Sequence, residues 1–117
     1  MKTERLEFSL LLEFYAGLLS DRQRELVDLY YNDDLSLSEI SELTGITRQG
    51  VRDGIKKAEG MLVSYEEKLG MYAQYQKRQE DYRVISRGLE GLVLRYGIKD
   101  GDADLERLRG LLEVLQQ

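Results

Sequence analysis

Residues 36–57 read SLSEISELTGITRQGVRDGIKK, and the order of caps, apolar positions and glycine in that stretch decides the fold. Ser36 and Glu39 have the spacing of a capping box, in which a hydroxyl and a carboxylate satisfy each other's backbone N–H groups at a helix start. Leu35 and Ile40 stand where a hydrophobic staple closes the helix entry. Leu37, Ile40, Ser41 and Thr44 then give one face of small and apolar groups. Gly45 falls where a helix end calls for a positive φ, and Ile46 can pack into the turn. Thr47 is a good N-cap for a second helix, with Val51 four residues on to pair with Ile46. A helix, a tight glycine turn and a second helix that opens Thr47-Arg48-Gln49 make a helix-turn-helix. That arrangement puts Arg48, Gln49 and Arg52 at the leading end of a recognition helix.

Outward from the motif, the pattern stays helical. Residues 4–18 predict a first helix whose broad apolar face is Phe8, Leu11, Leu12, Tyr15, Leu18 and Leu19. Leu6, Leu10 and Phe14 form a second stripe, so this helix is either central in its domain or shared with a partner. Ser20 with Gln23 is another capping box, opening a helix to about Tyr31 that presents Leu26, Val27, Leu29 and Tyr30. Asn32-Asp33-Asp34 is a turn of side chains that bond their own backbone. The helix from Arg48 finds no stop until near Gly70, and its buried stripe is Val51, Ile55, Ala58 and Leu62, extended by Tyr65 and Leu69. Gly50, Gly54 and Gly60 each cost it about 1 kcal/mol relative to alanine. Gly50 and Gly54 lie one turn apart, as tolerated surface positions or as a place of close approach.

Across Gly70 and beyond it, Tyr65, Tyr72, Tyr75 and Tyr82 recur at helical spacing, interleaved with Lys77, Arg78 and Arg83. Such tyrosines fit a packing seam with wet hydroxyls better than a platform for single-stranded bases. Ile85, Leu89, Leu92 and Tyr96 follow at steps of four, three and four; Gly97 to Asp102 is a linker; Leu105, Leu108, Leu112 and Leu115, with Leu111 beside them, mark a last helix. Two heptad-like stripes joined by a short turn predict a helical hairpin that closes on itself or against another subunit. The expected fold is all-α. Residues 1–69 form a helix-turn-helix domain with its N-terminal helix, and residues 70–117 form a C-terminal helical extension packed on the first part or on a partner subunit. The expected structural core is Ile40, Ile46, Val51, Ile55 and Leu62.

Composition narrows the function. The 117 residues include no proline, cysteine or histidine. Disulfides, thiolate or imidazole metal ligands and His-based acid–base catalysis are therefore absent from the chemistry on offer. The carboxylate pairs Glu66/Glu67 and Glu39/Glu42 come with no nucleophile or ligand spacing and read as solvated helix faces with i, i+4 partners such as Asp53 with Lys57. Asp33-Asp34 lacks the alternation of a calcium loop, and the scattered glycines follow no strand. An enzyme, a resident metal and a cofactor are accordingly not expected. No apolar run reaches membrane-spanning length and the charged N-terminus is unlike a signal peptide, so the expectation is a cytoplasmic protein without membrane insertion. Net charge is −5, which argues against coating nucleic acid by sheer positive potential. Residues 1–45 carry four basic and ten acidic side chains, residues 46–68 five and four, and the remainder eight of each. The recognition-helix region is thus the least acidic part of an acidic first half.

With these residues laid out, a resemblance appears at two levels. Residues 20–62, SDRQRELVDLYYNDDLSLSEISELTGITRQGVRDGIKKAEGML, resemble the fourth region of bacterial sigma factors. There an RQRE start precedes one helix and an SxxEIxxLxGIT turn leads into the DNA-reading helix. More closely, LLEFYAGLLSDRQRE, LYYNDDLSLSEISE, GITRQGVRDGIKKAE and LVSYEEKLGMYAQYQKRQE together resemble the YlxM family of small bacterial helix-turn-helix proteins, over about residues 8–85. The resemblance implies a sigma-region-4-like domain with the DNA-reading role on Arg48, Gln49, Arg52 and Lys56. It also implies a regulator or accessory of the signal recognition particle pathway, because the family's genes tend to lie beside those of the particle's GTPases. Gly50 and Gly54 depart from the pattern by removing side chains from the reading helix. In a bound state Lys56, Lys57 and the N-terminus of the preceding helix would meet phosphates. The partners expected are a second copy of the chain in a homodimer, and double-stranded DNA or the particle's RNA or GTPase. The alternative is an interaction module that binds a targeting-pathway component with little or no DNA binding.

Overall fold

The computed structural model describes residues 2–116, with side chains from Arg5 onward. Among the described residues six α-helices follow one another: α1 (Lys2–Tyr15), α2 (Asp21–Tyr31), α3 (Leu37–Thr44), α4 (Arg48–Leu69), α5 (Met71–Tyr96) and α6 (Ala103–Gln116). A short 3-10 turn, Ala16–Leu18, follows α1, and the described residues contain no strand, so the fold is all-α. The chain divides into two compact units, Met1–Tyr72 and Ala73–Gln117.

Local chemistry sets the ends of the helices in the first unit. Ser20 and Ser36 each cap a helix by a reciprocal box, with Gln23 and Glu39 as the returning side chains. Thr47 caps α4 by accepting from the Gly50 N–H. Gly45 at φ 75° ends α3, and Gly70 at φ 61° ends α4. Both occupy the left-handed region, where glycine carries no Cβ penalty. The Ser41 hydroxyl donates to the Ile46 carbonyl at 2.6 Å, tying the turn between α3 and α4.

The core of this unit is one cluster of eleven buried side chains: Leu11, Leu12, Tyr15, Leu19, Leu26, Val27, Ile40, Val51, Ile55, Ala58 and Leu62. The stripe expected along α4 is buried as far as Leu62, whereas Leu69 at the helix end is exposed. Ile46 is partly covered against the cluster. Leu18 also departs from expectation. The first helix stops at Tyr15, and the tighter 3-10 turn swings Leu18 out to solvent while Leu19 stays buried. Of the second stripe on α1, Phe14 meets the edge of Tyr72 at 6.1 Å between ring centres, and Leu6 remains exposed.

Tyr15 organises the junction of α4 and α5. Its hydroxyl donates to Glu66 Oε1 at 2.6 Å and accepts from the Met71 N–H at 3.0 Å, while Glu66 Oε1 also accepts from the Tyr72 N–H at 3.0 Å. Two orphan N–H groups at the start of α5 are thereby satisfied by side chains. Burial first, and then the hydrogen bond to Glu66, push the Tyr15 phenol above its ordinary value of 10.0.

Close approach, the second of the two readings of Gly54, is what the packing shows. A methyl group placed there would come within 2.7 Å of Leu26 Cδ1, and Leu26 is itself buried and has little room to yield. At Gly50 the nearest neighbours would be Ile46 Cγ2 at 2.9 Å and the Thr47 hydroxyl at 3.0 Å, whereas Gly60 faces open space.

The second unit is a helical hairpin: α5 beyond Tyr72, a turn with Gly97 at φ 61° and Gly101 at φ 93°, and α6. Asp102 accepts from the Leu105 N–H at 3.0 Å and so caps α6. Among its described residues only Leu105 and Leu112 are buried. One side of the hairpin is closed by Arg109, whose guanidinium reaches Glu90 at 2.9 Å and Asp100 and Glu106 at 3.2 Å. Glu90 foremost, then Asp100, hold that guanidinium more firmly protonated than usual.

Candidate nucleic-acid interface

α3, its glycine turn and α4 form the two-helix unit that the caps predict, with α4 the helix in the recognition position. Ile40, Val51 and Ile55 are buried beneath it, so α4 is held to the core by one face and free on the other. Arg48, Gln49, Arg52 and Lys56 are all exposed. Arg48, Arg52 and Lys56 follow at steps of four, and Gln49 precedes Arg52 by three, so the four fall within about 100° of the helix surface. Lys57 is exposed as well, but lies about 100° further round the helix than Lys56 and does not join that group.

Among the described residues, Arg48, Arg52, Lys56 and Lys57 take part in no ion pair. Their charges are not neutralised within the fold. Gln49 differs: its side-chain amide donates to Asp53 Oδ1 at 3.0 Å. The i, i+4 partner of Asp53 is thus Gln49 on its N-terminal side and not Lys57, and the carboxylate lies beside the face of Arg48, Arg52 and Lys56. Any base contact by Gln49 requires that bond to be exchanged.

The helix starts differ in charge. α2 and α3 carry Asp21 and Glu39 in their first turns, whereas α4 has no acidic residue there. A helix N-terminus favours anions, and at α4 no carboxylate competes for it. The N-terminus of α3 is a poor phosphate site. Glu39 accepts from the Ser36 N–H, and that backbone bond, followed by the Ser36 hydroxyl, holds its carboxyl below the ordinary range. The group stays ionised at neutral pH and repels a phosphate.

Three features of the first unit were not read from the sequence. A small recess of about 140 Å³ beside the reading face is lined by Tyr30, Leu37, Arg52, Ile55, Lys56 and Glu59. The Tyr31 hydroxyl donates to Glu59, which turns that carboxylate toward the α2 side of the helix. An acidic depression, lined by Glu13, Asp21, Glu25 and Asp28 around the single cation Arg24, lies between α1 and α2. Among the described residues no cluster of side chains has a metal-binding arrangement, and no helix is long and apolar enough to cross a membrane.

Comparison with known proteins extends these observations. Residues 2–91 match the profile of the UPF0122 family, described as "Putative helix-turn-helix protein, YlxM / p13 like". A UPF0122 protein of Thermoanaerobacter pseudethanolicus is 39% identical over 117 residues, covering 100% of this chain and 95% of the relative. One from Geobacillus kaustophilus is 42% identical over 114 residues, 97% of this chain and 96% of the relative. A third, from Halalkalibacterium halodurans, is 39% identical over 115 residues, with 98% and 96% covered.

Proposed function

The chain belongs to the UPF0122 family of YlxM / p13-like helix-turn-helix proteins, and from that premise we propose that it is a nucleic-acid-binding regulator or accessory of the signal recognition particle pathway, acting as a homodimer. The observation that carries the reading is the exposed face of α4, where Arg48, Arg52 and Lys56 stand without internal counterions at a helix start free of acid. Arg48 and Arg52 read base edges of double-stranded DNA, and Lys56 and Lys57 meet phosphates. Support for the pathway comes from the YlxM resemblance and the gene neighbourhood it implies.

A second reading has an observation of its own. The acidic depression between α1 and α2, together with the tether of Gln49 to Asp53, suits an interaction module that binds a component of the targeting machinery with little or no DNA binding. Affinities for a promoter-like duplex, for the particle's RNA and for its GTPase, measured side by side at two salt concentrations, separate the two. On the first reading, Arg48→Ala and Arg52→Ala each weaken specific duplex binding by about 1–3 kcal/mol. Lys56→Ala weakens all sequences alike and flattens the salt slope by about one unit. Nucleic-acid affinity unchanged in all three variants, with the GTPase still bound, selects the second.

A further inference from the structure

The two sides of the C-terminal hairpin are chemically unlike. On one side Arg109 of α6 and Glu90 of α5 close the seam by an ion pair at 2.9 Å. On the other a channel of about 210 Å³ runs between the helices, lined by Ile85, Leu89, Leu108, Leu111, Leu112 and Leu115. Among the described residues the lining of this trough is wholly aliphatic. The exposures at its mouth are large: Ile85 49%, Leu108 48%, Leu111 56% and Leu115 51%. Gly88 lies one turn from Ile85 and Leu92, and among the described residues a methyl group placed on it would meet nothing within 4 Å beyond its own stretch of helix. The open side therefore also has room for another backbone to come close.

We infer that this seam is a self-association surface, on which two copies of the chain pack hairpin to hairpin as an antiparallel four-helix bundle. Three observations choose a second copy as the occupant. The first is charge. Residues 73–117 carry eight basic and eight acidic side chains, whereas residues 1–72 carry nine basic and fourteen acidic. The hairpin is neutral, so two copies approach without net repulsion, and the seam offers a strongly charged foreign partner nothing to complement. The second is area. Laid seam to seam, two hairpins withdraw on the order of 1,000 Å² from water, side-chain stems at the rim included, which is about the least a specific interface buries. The third is pattern. Steps of four, three and four on α5 and three, four and three on α6 are those of a coiled-coil bundle core. A single hairpin uses only part of that core, burying Leu105 and Leu112. A two-fold axis matches the same patch to itself, as an isologous contact requires.

This inference rests on the homodimeric reading and is independent of nucleic-acid binding. The test is the molar mass of the full chain by light scattering and sedimentation equilibrium at low micromolar concentration, with far-UV circular dichroism as the check on folding. The wild-type chain should be a dimer. Leu111→Glu should raise the dissociation constant at least about tenfold with helix content unchanged, and Leu94→Glu, on the far side of α5 where residue 94 is already 85% exposed, should leave it unaltered. The chain has no cysteine, so a single introduced thiol can only be cross-linked between copies. A short bis-maleimide should join Leu111→Cys chains in high yield and Leu94→Cys chains in low yield. A dimer that withstands Leu111→Glu and Leu115→Glu and cross-links equally at both positions overturns the seam while leaving the homodimer standing. A strictly monomeric wild-type chain overturns both, and assigns the trough to the first unit of the same chain or to a different protein.

Discussion

The two units of this molecule are built from the same ingredients, amphipathic helices with leucine stripes, yet they use them differently. The first draws α1, α2, α3 and α4 around one cluster of eleven buried side chains. Its helix ends are held by reciprocal boxes at Ser20 and Ser36, by Thr47 and by two left-handed glycines. The second pairs two helices, and two helices have only one mutual line of contact; its described residues bury only Leu105 and Leu112. Number of helices, not richness in apolar residues, is what separates them. Four helices can enclose a centre, while two leave every stripe with an open flank.

The sharpest way to break that comparison is to remove one leucine from each. Leu62→Ala, at a fully covered position, should cost about 2–5 kcal/mol in urea unfolding through lost burial and the cavity left behind. Leu112→Ala should leave the midpoint of the first unit in place. Equal losses would show a single cooperative structure.

Next in size is Tyr15→Phe, which strands the Met71 N–H and takes a donor from Glu66, at a cost of about 1–3 kcal/mol. The same residue predicts a pH dependence. Its folded-state pKa is raised, so the native state holds the phenolic proton more tightly than the unfolded chain. The corresponding stability is complete below about pH 10 and is lost as pH climbs through the folded value. Urea midpoints measured from neutral pH upward should fall in the alkaline limb for the wild type, and that limb should flatten in Tyr15→Phe.

Gly54→Ala sharpens the contrast between packed and open glycines. Helix propensity favours the alanine by about 1 kcal/mol, but its methyl group presses on Leu26, so a net loss of about 1–2 kcal/mol is expected. Gly60→Ala and Gly88→Ala, which meet nothing, should be neutral or stabilising as monomers. The smallest effect belongs to Arg109→Gln. It opens the sealed side of the hairpin and should appear as faster amide exchange in α6, with no movement of the urea midpoint of the first unit.

How legible was all this in the amino-acid order? The starts of α2, α3 and α4 were, because a cap is settled by residues three or four apart: Ser20 with Gln23, Ser36 with Glu39, and Thr47 over Gly50; the end of α1 at Tyr15, read three residues too late, was not. Glycines 45 and 70 needed only their own φ. The arginines and lysines of α4 were equally plain as residue types, and the exposed face shared by Arg48, Arg52 and Lys56 followed from spacing. Contacts between distant residues were not legible. Nothing near Tyr15 announces Glu66, and nothing near Gly54 announces Leu26. Leu18 and Leu69 carried the right periodicity, but helix ends turn away from the core by amounts that periodicity does not encode. The Gln49–Asp53 bond could have been anticipated, since it has the same i, i+4 spacing as the Asp53–Lys57 pair favoured in its place.

The clasp of Tyr15 on Glu66 also imposes an order in time. Its partners lie 51 residues apart, and at 5–20 residues per second the ribosome delivers the second about 3–10 s after the first. For that interval α1 has been made, with two apolar stripes, and its keeper does not yet exist. α1 can meet α2 early, but the clasp that fixes it to α4 closes only after residue 66 has been made. A nascent chain arrested before residue 66 should still offer α1 to a chaperone, while one arrested far enough beyond it for residue 66 to emerge has withdrawn it.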